Sequence, residues 1–408
     1  MRIAFIVSTF PKLSETFILS QITGLLDMGH DVRVFSEYRN TREKKVHPDV
    51  IKYGLMDRIS YFVTPENRLK RAASASRLLA ANFHKGPLDL LKSVNFFSLG
   101  KKALSLKVLH LLTPMIGSRF DIIHSHFGIN GALAIYLKLM GVPGRYITTF
   151  HGYDVNSLPH QAAPGYYKDL FSHGDRFTSN TEYTRRRAVS LGCDEKKITI
   201  LPVGLDIGKF KYSPRVLKAG APVRLLTIGR LVEKKGHEYA LKAVKALKDK
   251  GFNVRYTIAG DGPEKNRLEA LSNSLGVSEQ VEFLYDIHEH EALDLYSRSH
   301  IFVLPSVTSV DQDREGQALV LQEAQASGMP VVSTLHNGIP EGVLDGVSAF
   351  LVPERDHVML AEKIEYLIKR PSTWSDMGLA GRRFVEQKYD IRKLNNELVG
   401  IYEEMLRA

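Results

Sequence analysis

The chain has 408 residues, 44% of them hydrophobic and 25% charged, which suits roughly two or three folded domains and excludes disordered and low-complexity classes. A single cysteine, Cys193, excludes an intramolecular disulfide and cysteine-rich metal sites. The net charge is +10 and unevenly placed: residues 1–206 hold 28 Lys/Arg against 17 Asp/Glu, whereas residues 207–408 hold 27 against 28.

The first strand, Ile3-Val7, sits in MRIAFIVSTFPKLSE, an apolar run too short for a signal peptide and without a basic n-region. No stretch reaches the roughly 18 apolar residues of a membrane-spanning helix. The expected location is therefore cytoplasmic and reducing.

Further strands are expected at Val32-Ser36, Ile122-His124, Tyr146-Phe150 and Ile198-Leu201, with helical patterns over 16–28, 131–140 and 182–191. A polar stretch with Lys, Pro and Gly then reads as a linker over 206–221. The series restarts with strands at Val223-Ile228, Arg255-Ala259, Val281-Leu284, Ile301-Leu304, Val331-Ser333 and Ala349-Val352, and helices over 237–250, 264–275, 317–327 and 357–369. Apolar strands alternating with helices predict parallel sheets covered on both faces. The expected class is α/β, with two Rossmann-like, doubly wound domains over 1–205 and 222–390 facing across a cleft. The tail, 391–408, opens with an amphipathic helix, apolar at 391, 394, 398, 401, 402 and 405.

In doubly wound sheets ligands gather where strands run out into loops, so the strand exits carry the candidate residues. After strand one, Ser14 is a candidate helix cap and Glu15 a candidate cleft residue; no G-x-G-x-x-G is present. The exits HSHFG (124–128) and TFHGYDV (149–155) make His126, His151 and Asp154 cleft candidates, His151 foremost. A zinc site needs convergent ligands at a supporting spacing such as HExxH, and none is present.

In the second half, IGRLVEKKGHEYAL (228–241) sets Arg230 at a strand end and Lys235 just before Gly236 and a helix. A guanidinium fork and an ammonium at a helix N-terminus both suit diphosphate oxygens. In PSVTSVDQDREGQALVLQEAQASGMPVVST (305–334), Glu315 precedes a helix and Glu323 follows eight residues later, about two turns along. Glu315 suits sugar hydroxyls, Glu323 a ribose diol, and the Leu319-Val320 amides a phosphate. Asp311-Gln312-Asp313 imitates a metal-binding pair in a hydrophilic loop, where the nearby cations already supply charge for a diphosphate.

Arg230 with Lys235-Gly236, Gly260-Asp261-Gly262-Pro263, Glu315-x7-Glu323-Ala324, Gly328-Met329-Pro330-Val331-Val332 and His151-Gly152 together resemble the retaining GT-B glycosyltransferases of family 4. The resemblance runs over essentially the whole chain, including Pro202-Val203-Gly204-Leu205-Asp206. FPKLSETFI (10–18), HSHFG, FHGYDV and DREGQALVLQEAQASGMPVVST look like the colanic-acid and amylovoran type of bacterial exopolysaccharide transferase. Many family members carry Gly-Gly after strand one; here the loop is Phe10-Pro11-Lys12-Leu13-Ser14-Glu15, as in that subgroup.

The resemblance implies an enzyme that moves a hexose from a nucleoside-diphosphate sugar, a UDP-sugar by preference, to a glycan acceptor. Residues 222–390 become the donor domain, with Arg230 and Lys235 on the diphosphate and Glu323 on the ribose. Glu315, Gly316 and the Leu319-Val320 backbone hold sugar and phosphate. Residues 1–205 become the acceptor domain, which brings His151 to the transferred sugar, and the final helix crosses back onto it. Arg230, Lys235, Glu315 and His151 form the catalytic set. No metal and no cofactor are expected, because cations and helix amides can stabilise the leaving diphosphate.

Residues 68–107 carry nine Lys/Arg and a single acid, Asp89, mixed with Leu78-Leu79, Phe83, Leu90-Leu91 and Phe96-Phe97. That mixture suits an anionic membrane, so a lipid-linked acceptor met at its inner face is the expected partner. Aromatics are not interleaved with basic residues as in a base-stacking platform, so nucleic acid is not expected. The alternatives are a nucleotide-sugar epimerase or hydrolase on the same fold, or a non-catalytic membrane-binding protein.

Overall fold

Ile3 to Val7 are buried on both faces of their strand, which is why the run shows no polar alternation. In the computed structural model, which describes every residue except 13–14, 41–46, 96–104 and 163, this strand is β1, Arg2–Phe10. It is followed by β2 (Asp31–Arg39), β3 (Ile59–Tyr61), β4 (Ile122–His126), β5 (Arg145–Phe150), β6 (Arg176–Ser179) and β7 (Ile198–Ile200). These strands form one parallel sheet in the order β3-β2-β1-β4-β5-β6-β7, with Ile3 opposite both Val32 and Ile122. The chain leaves β1 to one side and returns through β4 to the other, so the exits of β1 and β4 flank the switch point.

The second sheet contains β8 (Val223–Ile228), β9 (Val254–Ala259), β10 (Val281–Leu284), β11 (Ile301–Leu304), β12 (Val331–Thr334) and β13 (Ala349–Val352). Its order is β10-β9-β8-β11-β12-β13, again parallel throughout, with the switch point between β8 and β11. Two parallel-sheet, Rossmann-like units result. The first comprises Met1–Asn180, Thr184–Leu201 and Leu394–Ala408; the second comprises Thr181–Tyr183 and Pro202–Lys393.

The last helix, Ile391–Arg407, belongs to the first unit from Leu394 onward. Leu394, Leu398, Ile401, Tyr402 and Met405 are buried in one cluster with Ile3, Phe5, Val7 and Ile22, so the apolar stripe of the sequence is the stripe that packs. The Tyr402 hydroxyl lies 2.6 Å from Nδ1 of His124 in β4, which gives this buried phenol a partner.

Segment 206–221 is not a free linker. Ile207 and Phe210 join the core of the second unit. Arg215 is 5% exposed and donates to the carbonyls of Ser297 (2.6 Å), Tyr296 (2.9 Å) and Ser327 (2.6 Å). The stretch is anchored by side chain to backbone rather than by a repeating apolar face, so it has no periodicity to read. No helix among the described residues is long and apolar enough to cross a membrane.

Candidate active site

In the first unit the exits of β4 and β5 lie side by side, with His126 paired to Thr149. His151 follows β5 directly. The rings of His126 and His151 stack with centroids 5.3 Å apart, and Nδ1 of His126 lies 3.0 Å from Nε2 of His151. Behind them His124 stacks on His126 at 4.5 Å and places Nε2 2.7 Å from the Thr149 hydroxyl. Burial drives the imidazolium forms out: the pKa of His151 falls to about 3, that of His124 to about 3, and that of His126 well below the usual 6.5. All three are neutral at pH 7. Phe17 and Phe127 flank the His151 ring at 4.8 and 4.6 Å.

Asp154 is fully buried and accepts hydrogen bonds from the backbone N–H of Gly128 (2.9 Å), His151 (3.0 Å) and Gly152 (2.9 Å). This corrects the expectation of a cleft residue. The carboxylate is engaged by backbone donors, tying the start of helix Gly128–Leu139 to the loop after β5. His126, 1% exposed, likewise stands behind His151 rather than at the surface. Glu15 takes the cap position before helix Thr16–Asp27 without a side-chain cap bond, and pairs with Lys12 at 2.5 Å. Ser14, expected as that cap, lies outside the described residues.

In the second unit the exits of β8 and β11 bring Lys235 and Glu315 together. Lys235 ends the single turn Glu233–Lys235, and its ammonium lies 3.0 Å from Oε1 of Glu315, with both side chains largely buried. Gly236 makes this possible: its φ is +65°, and a Cβ there would fall 1.9 Å from the Pro305 carbonyl oxygen at the β11 exit. Burial alone would raise the Glu315 pKa. The ammonium groups of Lys235 and Lys234 outweigh it and hold the carboxyl at about 2. Lys234 pairs in turn with Asp313 at 3.0 Å, which engages one member of the apparent Asp-x-Asp pair. Among the described residues no group of three or more His, Cys, Asp or Glu is arranged to hold a metal.

Arg230 is exposed at the β8 exit, and among the described residues its guanidinium has no protein partner. Helix Leu319–Ala326 begins at the two residues expected to offer amides, Leu319 and Val320, and carries no side-chain N-cap bond. Its first-turn N–H groups therefore lack a capping side chain. Gly316 is buried between Glu315 and this helix. Glu323 lies within the helix and accepts from the buried Tyr296 hydroxyl at 2.6 Å; burial raises its pKa.

Sequence reasoning missed the support behind Glu315. The Glu315 N–H donates to Nε2 of His336 at 3.2 Å, and Nδ1 of His336 lies 2.6 Å from Oε1 of Glu354. His336 follows β12 and Glu354 follows β13. The strand-exit signal that marks His126 and His151 marks both of these as well.

Model-based comparison matches residues 14–209 to Glycosyltransferase Family 4 and residues 209–384 to Glycosyl transferases group 1. The colanic acid biosynthesis glycosyltransferase WcaL of Salmonella typhimurium is 32% identical over 99% of this chain and 100% of its own length. The amylovoran biosynthesis glycosyltransferase AmsK of Erwinia amylovora is 30% identical over 99% and 100%. Among solved structures, HepE of Anabaena in complex with UDP and glucose superposes with a TM-score of 0.74 at 17% identity, over 99% of this chain and 100% of its own. Sucrose-phosphate synthase of Thermosynechococcus elongatus gives 0.74 at 18% identity, over 100% and 99%. With full-length relatives at 30% and 32% identity and family models over both halves, the chain belongs to the glycosyltransferases of family 4.

Proposed function

We propose that this chain transfers a hexose from a nucleoside-diphosphate sugar to a lipid-linked glycan, with retention and without a metal, in exopolysaccharide assembly. One observation carries the reading. Arg230, the Lys235–Glu315 pair and an uncapped helix N-terminus all belong to the exits of β8 and β11 at one switch point. As the glycosidic bond breaks, negative charge grows on the departing diphosphate. Arg230, Lys235 and the Leu319-Val320 amides stabilise it where it develops. Glu315, held ionised, and Glu323 accept from sugar and ribose hydroxyls. His151 is the group of the first unit assigned to the transferred sugar. Acceptor attack on the face the diphosphate leaves accounts for retention.

The names of the full-length relatives support the exopolysaccharide reading, and the UDP complexes of HepE support a UDP-sugar donor. The test is a panel of UDP- and GDP-sugars followed by thermal shift, since a ligand of the native state raises Tm with its concentration. A UDP-hexose is expected to raise Tm in the parent and not in Arg230→Ala, with turnover unchanged by EDTA. No response to any nucleotide sugar would overturn the reading. Rapid donor consumption without an acceptor would instead mark a hydrolase or epimerase.

The acceptor partner rests on the first unit's charge. Helices Arg68–Asn82 and Pro87–Ser93 expose Arg68, Lys70 and Arg77, with Lys85 exposed between them, beside exposed Leu69, Phe83, Leu88 and Leu91. Phe96, Phe97, Lys101 and Lys102, part of the same basic segment, lie outside the described residues. Cations beside exposed apolar side chains suit an anionic lipid surface, which makes the working location the inner face of the membrane. In flotation assays the protein should rise with phosphatidylglycerol-containing vesicles and not with neutral ones. Arg68→Glu combined with Lys70→Glu and Arg77→Glu should abolish recovery; equal recovery from both vesicle types would sink the idea.

A further inference from the structure

We infer that His126 is a positioning residue: it fixes His151 as the Nδ1–H tautomer, so that His151 meets its substrate as a hydrogen-bond donor. The inference rests on the transferase reading for its functional consequence, but not for the tautomer itself. Nδ1 of His126 and Nε2 of His151 are 3.0 Å apart, so one of them carries the shared proton. Both rings are neutral, because burial drives off their second proton. Two arrangements remain.

In one, His151 donates from Nε2. His126 must then carry its own proton on Nε2, a buried nitrogen with no partner. In the other, His126 donates from Nδ1, and its orphaned Nε2 is a bare acceptor. An orphaned buried donor is rarer than an under-satisfied acceptor. The second arrangement is therefore the stable one, and it leaves the proton of His151 on Nδ1.

The surroundings hold this geometry. The backbone N–H of His151 donates to Asp154, its carbonyl accepts from the Asn180 amide, and the His126 carbonyl accepts from Asn130. Phe17 and Phe127 hold the His151 ring from the sides. Among the described residues no partner meets its Nδ1. That nitrogen, carrying a proton and no free lone pair, can donate to a substrate oxygen and cannot act as a base.

The test is nitrogen-15 NMR of histidine-labelled protein, with the His151 signal assigned by its loss in His151→Asn. The parent should show His151 protonated on Nδ1. In His126→Phe, which keeps the stack and removes the donor, His151 should shift to Nε2–H. In that variant kcat should fall about tenfold with donor KM within about threefold, the pattern of a lost transition-state hydrogen bond. His126→Asn, whose amide nitrogen can take the place of Nδ1, should restore both the tautomer and most of kcat. A parent protonated on Nε2, or a His126→Phe variant with the His151 tautomer unchanged, would overturn the inference whatever the activity. Full transfer by His151→Ala would leave the tautomer standing and overturn the role of His151 at the sugar.

Discussion

Lys235→Ala should lower kcat/KM about a thousandfold and destabilise the protein by about 3 kcal/mol. The two effects have different causes and can be separated. On the proposed function, the activity loss comes from removing the cation assigned to the leaving diphosphate. The stability loss comes from stranding Glu315, which is 6% exposed and has Lys235 as its ion-pair partner at 3.0 Å. Lys235→Met with Glu315→Leu should therefore recover most of the stability and none of the transfer, because an apolar pair of similar volume often replaces a buried ion pair without cost.

The acid side offers a second reading of the same pair. With Lys235 present, the folded pKa of Glu315 is about 2 against the usual 4.5. A depressed carboxyl contributes stability that is complete above about pH 4.5 and lost as pH falls toward 2. In Lys235→Ala burial dominates and the Glu315 pKa rises above its ordinary value, so this acid-side loss should vanish and stability should instead increase as pH falls through the raised pKa. Denaturant melts across pH 3–7 would show the reversed slope. Activity within about threefold of the parent, or a double variant as unstable as the single, would count against this account.

The strands of both units were legible wherever burial on two faces left an uninterrupted apolar run, as in Ile3–Val7 and Ile301–Leu304. Strand β6 was not, because Arg-Phe-Thr-Ser reads as polar although Thr178 and Ser179 are fully buried. Strand β3, three residues long, gives too little pattern to stand out. At the candidate site, the sequence singles out residues with distinctive chemistry at strand exits, His151, Arg230, Lys235 and Glu315, whose roles belong to the proposed function. What escaped was support through the backbone. Asp154 beside His151-Gly152 looks like an exposed loop acid, and only the fold shows three N–H groups converging on it. Segment 206–221 reads as a linker because the partners of its Arg215 are carbonyls about 80 and 110 residues away in sequence. Spacing patterns carry side-chain periodicity, and such long-range contacts to the main chain leave none.

Asp154→Asn is expected to be as damaging as Asp154→Ala, at about 4 kcal/mol of stability, although it preserves size and shape. The carboxylate is an acceptor at both oxygens, and the donors facing it are all backbone N–H groups. An asparagine amide keeps one acceptor and turns two donors toward those N–H groups, so at least part of the set is left unsatisfied in a site with no exposure. The bond to Gly128 carries a further load. Phe127, directly before it, holds φ +68° and ψ 138°, a conformation unfavourable for a residue with a side chain. The surrounding bonds must outweigh that strain, and the Asp154–Gly128 contact is among them. Once it is lost, the exits of β4 and β5 can relax and carry His151 with them. A displacement of about 1 Å at a reacting centre costs on the order of a hundredfold in rate. On the proposed function, which assigns the donor to the second unit, both variants should show a large fall in kcat at little-changed donor KM. Chemical denaturation and steady-state kinetics on the two variants would test this together. An asparagine variant within about 0.5 kcal/mol of the parent would mean that the backbone donors at the β4 and β5 exits do not depend on the charge of Asp154.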